Sequence, residues 1–244
     1  MRLRESAERA LSCLIALLPS AAGSSLLGAM PVDTHAIAEG RRGAMGRDAR
    51  YCGLGVCACE MQSHLGFRQV LRAAQSEAGA LCASAAAGAG QPLLPVAVLQ
   101  VRLCWLIPCW WAFGGSGDAT EDAAACADAY ALIATLLSNA ADAAVVQHAA
   151  HALVAMLRVS ADADLAAAAP VTPQLCAAVV ARLGEAESDE ALLWLLCALR
   201  QLLRVPAPVH PDLAPGLARL WELAVRERRD LLAAELRRCA ACLQ

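Results

Sequence analysis

Cysteine is the residue type whose abundance most strongly suggests chemistry in this chain. There are 12 Cys in 244 residues, enough for a disulfide framework or a zinc site. Cys239 and Cys242 form a C-x-x-C, but no second C-x-x-C or histidine pair follows at the spacing of a zinc finger. Most of the cysteines stand among Ala, Leu and Val, where a thiol behaves as a small hydrophobic side chain. We therefore expect reduced, buried cysteines of a cytosolic or nuclear protein, with no metal or other cofactor.

Two histidines are the next candidates for chemistry. His148 and His151 lie three residues apart on one predicted helix, but no carboxylate or Cys accompanies them on that face. A solvent-facing or groove-lining role is therefore favoured over metal binding. Spacing alone does not exclude a catalytic triad, because its members can be distant in sequence. Nothing in the chain resembles a nucleophile elbow, a P-loop or a dinucleotide fingerprint. We expect a protein that is not an enzyme.

The composition limits the possible partners. The chain is 59% hydrophobic and 18% charged, so it can bury a large core, and its formal net charge is −3. A negative balance without a broad basic face argues against the phosphate neutralisation that dominates nucleic-acid affinity. Nucleic acid is not an expected partner.

Two segments raise the possibility of membrane targeting. Residues 11–18 are apolar and follow three arginines, as in a secretory signal, but Glu5 and Glu8 fit the exposed face of an amphipathic helix over Leu3–Leu18 better. Residues 93–113 are long enough to span a bilayer, yet they contain two prolines and Arg102, which costs about 2.5 to 3.5 kcal/mol near mid-membrane. We expect buried helices and no membrane insertion.

The elements that must position these residues are helices. Apolar residues recur at three- and four-residue spacing from Asp118 onward, and no strand pattern with period two is present. Three helix starts, Asp142, Ser188 and Asp230, follow one another at intervals of 46 and 42 residues. A repeat of this length with two helices per unit is typical of HEAT and armadillo solenoids. The predicted fold is all-α, a single solenoid segment of antiparallel helix pairs over residues 1–244, with flexible loops at 19–46 and 83–91.

Two motifs carry a resemblance to a known family. Residues 48–57, DARYCGLGVC, and the downstream HLGFRQV are similar to the family segments D-A-V-Y-x-A-V-G-L-A and V-D-F-D-x-W. Residues 101–110, VRLCWLIPCW, are similar to R-R-V-x-W-L-I-G-Q-W, and Leu220-Trp221 fits a stretch ending in L-P-x-L-W. On these residues the chain resembles the middle and later repeats of β-karyopherin nuclear transport receptors, the importin-β superfamily, and most closely the importin-eleven subgroup. It departs from the motif at Pro108-Cys109, where the family has Gly-Gln.

The resemblance implies a function and a set of partners. A receptor of this class binds protein cargo on its concave face, FG-nucleoporins in apolar gaps between outer helices, and the GTPase Ran through N-terminal repeats that are not recognisable here. It implies residence in the cytoplasm, the nucleus and the nuclear envelope. The chain would be a fragment of a longer receptor or a divergent short paralogue. The alternative is a HEAT-type interaction scaffold unrelated to transport.

Cargo contacts are expected on the second helices of the pairs, which line the concave face in this architecture. The residues that we predict to bind protein partners are Arg102, Gln147, His151 and Arg200. Because none of them has an obvious role in the packing of one repeat on the next, we expect their replacement by Ala to leave the stability of the fold almost unchanged.

Overall fold

Every regular element that the structure describes is an α-helix. The structure is a computed structural model, and it describes residues 41–87, 94–111, 119–160, 168–186, 188–205, 213–227 and 229–242, with a few positions between 9 and 21 and at 165–166. Over these residues the chain is all-α, and most helices pack against helices near them in sequence, as in a solenoid. The predicted fold class is confirmed. Most of the helix predicted over Leu3–Leu18 lies outside the described residues.

The chain divides into two compact units, residues 1–125 and 126–244, which we name the N-terminal and C-terminal units. Helix α5 begins in the first range and continues into the second. The helices are α1 Arg41–Val56, α2 Ala58–Met61, α3 Phe67–Ala87, α4 Leu94–Trp111, α5 Ala119–Asn139, α6 Ala143–Val159, α7 Thr172–Glu185, α8 Asp189–Leu202, α9 Leu213–Arg226 and α10 Asp230–Ala241.

The N-terminal unit is built around α4. This helix packs against both α1 and α3, and its residues Leu103, Leu106 and Trp110 are fully buried. Arg102 interrupts the apolar sequence of α4 because it forms a two-point ion pair with Asp48 of α1, with Nε–Oδ1 and Nη2–Oδ2 distances of 2.7 and 3.3 Å. The charge of Arg102, which would be unfavourable inside a membrane, therefore has a carboxylate partner within the unit. Among the described residues, no helix is long and apolar enough to cross a membrane.

The C-terminal unit contains two rows of helices. The second helices α6, α8 and α10 are neighbours in one row, while α7 packs on α8 and α9 packs on α10. Arg182 of α7 connects successive first helices, because its guanidinium donates to the backbone carbonyls of Leu137 and Ser138 in the last turn of α5, both at 2.8 Å. Carbonyls in the last turn of a helix have no partner within the helix, so this arginine stabilises that end.

Side-chain caps fix two of the three predicted helix starts. The Asp142 carboxylate accepts a hydrogen bond from the Ala144 amide at 2.8 Å, and the Ser188 hydroxyl accepts from the Ala191 amide at 3.1 Å. At the third start the capping position is Arg229, without a side-chain cap, and Asp230 lies in the first turn of α10. In this position its negative charge interacts favourably with the positive end of the helix dipole, and its side chain does not cap a backbone amide.

Parts of the two predicted loops are helical. Helix α1 begins at Arg41 rather than near Asp48, and α3 continues to Ala87, so 41–46 and 83–87 are ordered as helix. Arg, Ala and Met in these stretches have high helix propensity, and this outweighs the cost of single glycines and serines. Nearly all of the remainder of 19–46 and 83–91 lies outside the described residues.

Candidate functional site

The residues that carry the family resemblance meet in one helix contact of the N-terminal unit. Beside the Arg102–Asp48 pair, the Arg102 guanidinium lies over the Trp105 ring, 5.1 Å from its centroid. Gly55 of α1 faces the same ring. The Trp110 indole donates to the Leu54 carbonyl at 2.9 Å, in the last turn of α1. Two motifs about fifty residues apart in sequence therefore form a single packing unit between α1 and α4.

A buried ion pair lies on another side of α1. Arg47 and Glu77 of α3 are 4% and 2% exposed, and their side chains are 2.8 Å apart. The Tyr51 hydroxyl is buried beside them, and its pKa is raised, first by burial and then by the Glu77 charge. Among the described residues this hydroxyl makes no hydrogen bond of ordinary geometry. The cluster fixes α1 against α3 and is closed to solvent, so it has a structural role.

The predicted contact residues have different environments. Gln147 and His151 lie on α6 and Arg200 lies on the neighbouring α8, so the C-terminal unit brings these three onto adjacent second helices. Arg102 belongs to the N-terminal unit, where it pairs with Asp48. Arg200 pairs with the buried Glu235 of α10 at 2.6 Å. Arg102 and Arg200 thus help to join helices, contrary to the expectation that these side chains have no role in stacking.

Trp194 extends the second-helix face beyond what the sequence predicted. Its ring meets the His151 imidazole edge to face, with centroids 4.5 Å apart, and it is half-buried rather than part of the core. The signal for it in the sequence was only a Trp in a leucine-rich helix, which indicates a core position more often than a surface one. The exposed His148 directs Nδ1 to the Ala144 carbonyl at 2.8 Å, within its own helix.

Glu235 is the main polar connection between α8 and α10. Its carboxylate, 5% exposed, accepts from Arg200 at 2.6 Å and from Arg238 at 2.8 Å. Burial raises the pKa of Glu235, but the hydrogen bonds and charges of Arg238 and Arg200 outweigh burial and hold this pKa below its usual range.

The ionisation of the Glu235 carboxylate should make the free energy of unfolding depend on pH. A depressed pKa in the folded state means that Glu235 stabilises the fold above its unfolded pKa of about 4.3, and that this contribution is lost as pH falls through the folded value. We expect Glu235→Gln to lower the free energy of unfolding by about 1 to 3 kcal/mol at pH 7. The difference from wild type should shrink below about pH 4. Urea unfolding over this pH range measures it, with the exposed Glu190→Gln as control; equal effects of the two variants at every pH would refute the prediction.

An apolar groove runs between the first helices α7 and α9 of the C-terminal unit. It has a volume of about 720 Å³. Gly216 of α9 is one of its lining residues, and a Cβ added there would lie 4.0 Å from Cγ1 of Val180 on α7. Sequence reasoning expected apolar gaps between outer helices but could not assign residues to them, because each wall comes from a different repeat. The groove is lined by Val180, Leu183, Gly184, Pro215, Gly216, Leu217, Arg219, Leu220, Glu222, Leu223 and Arg226.

The expectation of buried cysteines holds only in part: Cys57, Cys104, Cys176 and Cys239 are buried, whereas Cys13, Cys59 and Cys242 are exposed. Burial raises the pKa of Cys104 and of Cys239 to about 12, and that of Cys176 to about 11, so these thiols stay protonated near neutral pH and are poor nucleophiles. Within the part of the chain that the structure describes, the cysteines are free and no group of three side chains could hold a metal ion.

Comparison with known proteins gives no match: no family model, curated protein or solved structure is similar to this chain at a significant level.

Proposed function

We propose that the chain is a segment of a nuclear transport receptor of the β-karyopherin class, which binds protein cargo and FG-nucleoporins. The resemblance of its two motifs to that family supports the proposal, and so does the packing of those motifs against each other. Asp48 and Leu54 on α1 meet Arg102 and Trp110 on α4 through side-chain bonds, so the two motifs form one packing unit in this chain.

The observation that carries the functional part of the proposal is the groove between α7 and α9. Most of its lining is apolar, with Arg219, Glu222 and Arg226 as the charged lining residues, and its volume lies in the range of about 300 to 1,000 Å³ of clefts that hold small ligands. A phenylalanine side chain supplies about 150 to 250 Å² of apolar surface, which such a groove can bury. The Phe-Gly repeats of nucleoporins present this side chain on a flexible backbone.

The same proposal implies where in the cell the protein acts. A transport receptor moves between the cytoplasm and the nucleus and is concentrated at the nuclear envelope. Ran would bind to the class of N-terminal repeats that is not recognisable in this sequence, so its contact with this chain is not part of the proposal.

Groove filling provides the test. A Cβ on Gly216 would meet only ordinary contact distances, so the first added atom of Gly216→Leu is tolerated and the rest of the side chain should enter the groove. Circular dichroism checks that the variant folds. Burying a Phe side chain is worth about 1.5 to 3 kcal/mol, so we expect the affinity for a fluorescent Phe-Gly repeat peptide to fall roughly tenfold or more. Fluorescence anisotropy measures this change. The matched control is Gly79→Leu, at an exposed helix position of the N-terminal unit where nothing lies within 4 Å.

The control peptide has Ser in place of each Phe and should not bind. A HEAT-type scaffold unrelated to transport is the second candidate function, and it would bind neither peptide. Equal affinity of Gly216→Leu and wild type for the Phe-Gly peptide would show that the groove is not its site.

A further inference from the structure

The C-termini of the second helices α6, α8 and α10 lie along one edge of the C-terminal unit. Asp189 at the start of α8 pairs with Arg229 at the start of α10, and Arg200 near the end of α8 pairs with Glu235 in α10, so these helices are parallel. The starts of α6 and α8 line one cleft, and His151 meets Trp194 further along, so α6 is parallel to them too.

This alignment concentrates arginines on one edge. The helix dipole favours acidic residues near helix starts and basic residues near helix ends. Parallel packing places the basic ends of the three helices side by side. We name Arg158, Arg200, Arg204 and Arg238 the arginine edge. Arg158 and Arg204 are exposed and Arg238 is 64% exposed, whereas Glu235, the carboxylate among them, is 5% exposed and already binds two arginines.

The exposed His151 and the half-buried Trp194 form an aromatic contact between α6 and α8. His151 is exposed and lies two helical turns before Arg158 on α6, so both point to the same face. Trp194 precedes Arg200 on α8 by six residues and is half-buried against His151. Trp and Arg are the side chains most enriched among those that dominate binding energy at protein interfaces.

We infer that the second-helix face of the C-terminal unit binds an extended acidic segment of a protein partner, with carboxylates on the arginine edge and an apolar side chain on Trp194. This inference rests on the proposal that the chain binds protein cargo, and it adds the chemistry of that cargo. Neighbouring helices lie about 8 to 10 Å apart, so the three ends span roughly 20 Å, the length of about six extended residues. Charge complementarity at such a face sets on-rate and partner choice.

The probe is a fluorescein-labelled peptide of about six Glu residues around a central Leu, matched to the estimated span. We expect it to bind wild type, to bind more weakly as salt increases, and to lose roughly tenfold in affinity with Arg158→Glu/Arg204→Glu. Neither arginine has an ion pair among the described residues, so the variant should fold; circular dichroism checks this, and Arg158→Gln/Arg204→Gln should show a smaller loss of the same sign.

The charge-matched control is Arg219→Glu/Arg226→Glu, which changes two exposed arginines of α9 on the first-helix groove. It should keep peptide affinity within about threefold of wild type, because exposed charges beyond a Debye length are screened. Equal loss in the control, absence of peptide binding at low salt, or tighter binding of a single-stranded RNA through the same two arginines would overturn the inference.

The same preparations are also titrated with the Phe-Gly peptide. Capture of that peptide without binding of the acidic probe would overturn only the inference about the arginine edge. Binding of the acidic probe without capture of the Phe-Gly peptide would instead overturn the proposed transport function.

Discussion

Gly55→Ala should destabilise the N-terminal unit by about 1 to 3 kcal/mol or more, because the added methyl overlaps an aromatic ring. A Cβ at this position would lie 2.2 Å from Cζ3 and 2.4 Å from Cη2 of Trp105. Moving the ring away would disturb its contact with the Arg102 guanidinium, which lies over it and also binds Asp48. Urea unfolding followed by tryptophan fluorescence measures the change, since Trp105, Trp110 and Trp111 all belong to this unit.

A second glycine provides the matched control for this prediction. Gly79 lies within helix α3, and a Cβ added there would have no neighbouring atom within 4 Å, so Gly79→Ala should stabilise by about 0.5 to 1 kcal/mol through helix propensity alone. The cost of Gly55→Ala should also decrease in a Trp105→Leu background. Similar effects of the two Gly→Ala changes would contradict the close α1–α4 contact.

Glu77→Ala should lower the free energy of unfolding by about 3 to 5 kcal/mol, the usual cost of breaking a buried ion pair. The substitution removes the carboxylate from beside the Arg47 guanidinium, in a cluster where both side chains are at most 5% exposed. The double variant Arg47→Met/Glu77→Leu should cost less than Glu77→Ala, because apolar side chains of similar size need no solvation.

A double-mutant cycle in urea separates these effects. We expect a strong favourable coupling energy between positions 47 and 77, because each charged side chain destabilises the fold mainly when its partner has been removed. Simple addition of the two single effects would show that the pair is solvated and does not couple α1 to α3.

Local sequence signals predicted the helices better than the contacts between them. Asp142 and Ser188 are N-cap residues as expected, because a short side chain reaching its own backbone amides depends only on neighbouring residues. Arg102 and Arg200 have partners 54 and 35 residues away, and no local pattern identifies such a partner. For this reason the expectation that substitution leaves stability almost unchanged no longer applies to these two arginines. It also fails for His151, which packs against Trp194 of α8.

The candidate binding surfaces were predictable only in part. Helical periodicity assigned Gln147 and His151 to a second helix, and the structure adds Trp194 beside them. The groove was less accessible to sequence reasoning, because Val180 and Gly216 come from different repeats and face each other only after the repeats stack.

Accumulation at the nuclear envelope tests the proposed transport function most directly. Fluorescently labelled protein is added to permeabilised cells together with an inert helical protein of similar size, and the rim signal is compared. We expect wild type to concentrate at the rim above the inert protein, Gly79→Leu to behave as wild type, and Gly216→Leu to lose most of the enrichment. A rim signal of wild type no higher than that of the inert protein would contradict the proposal.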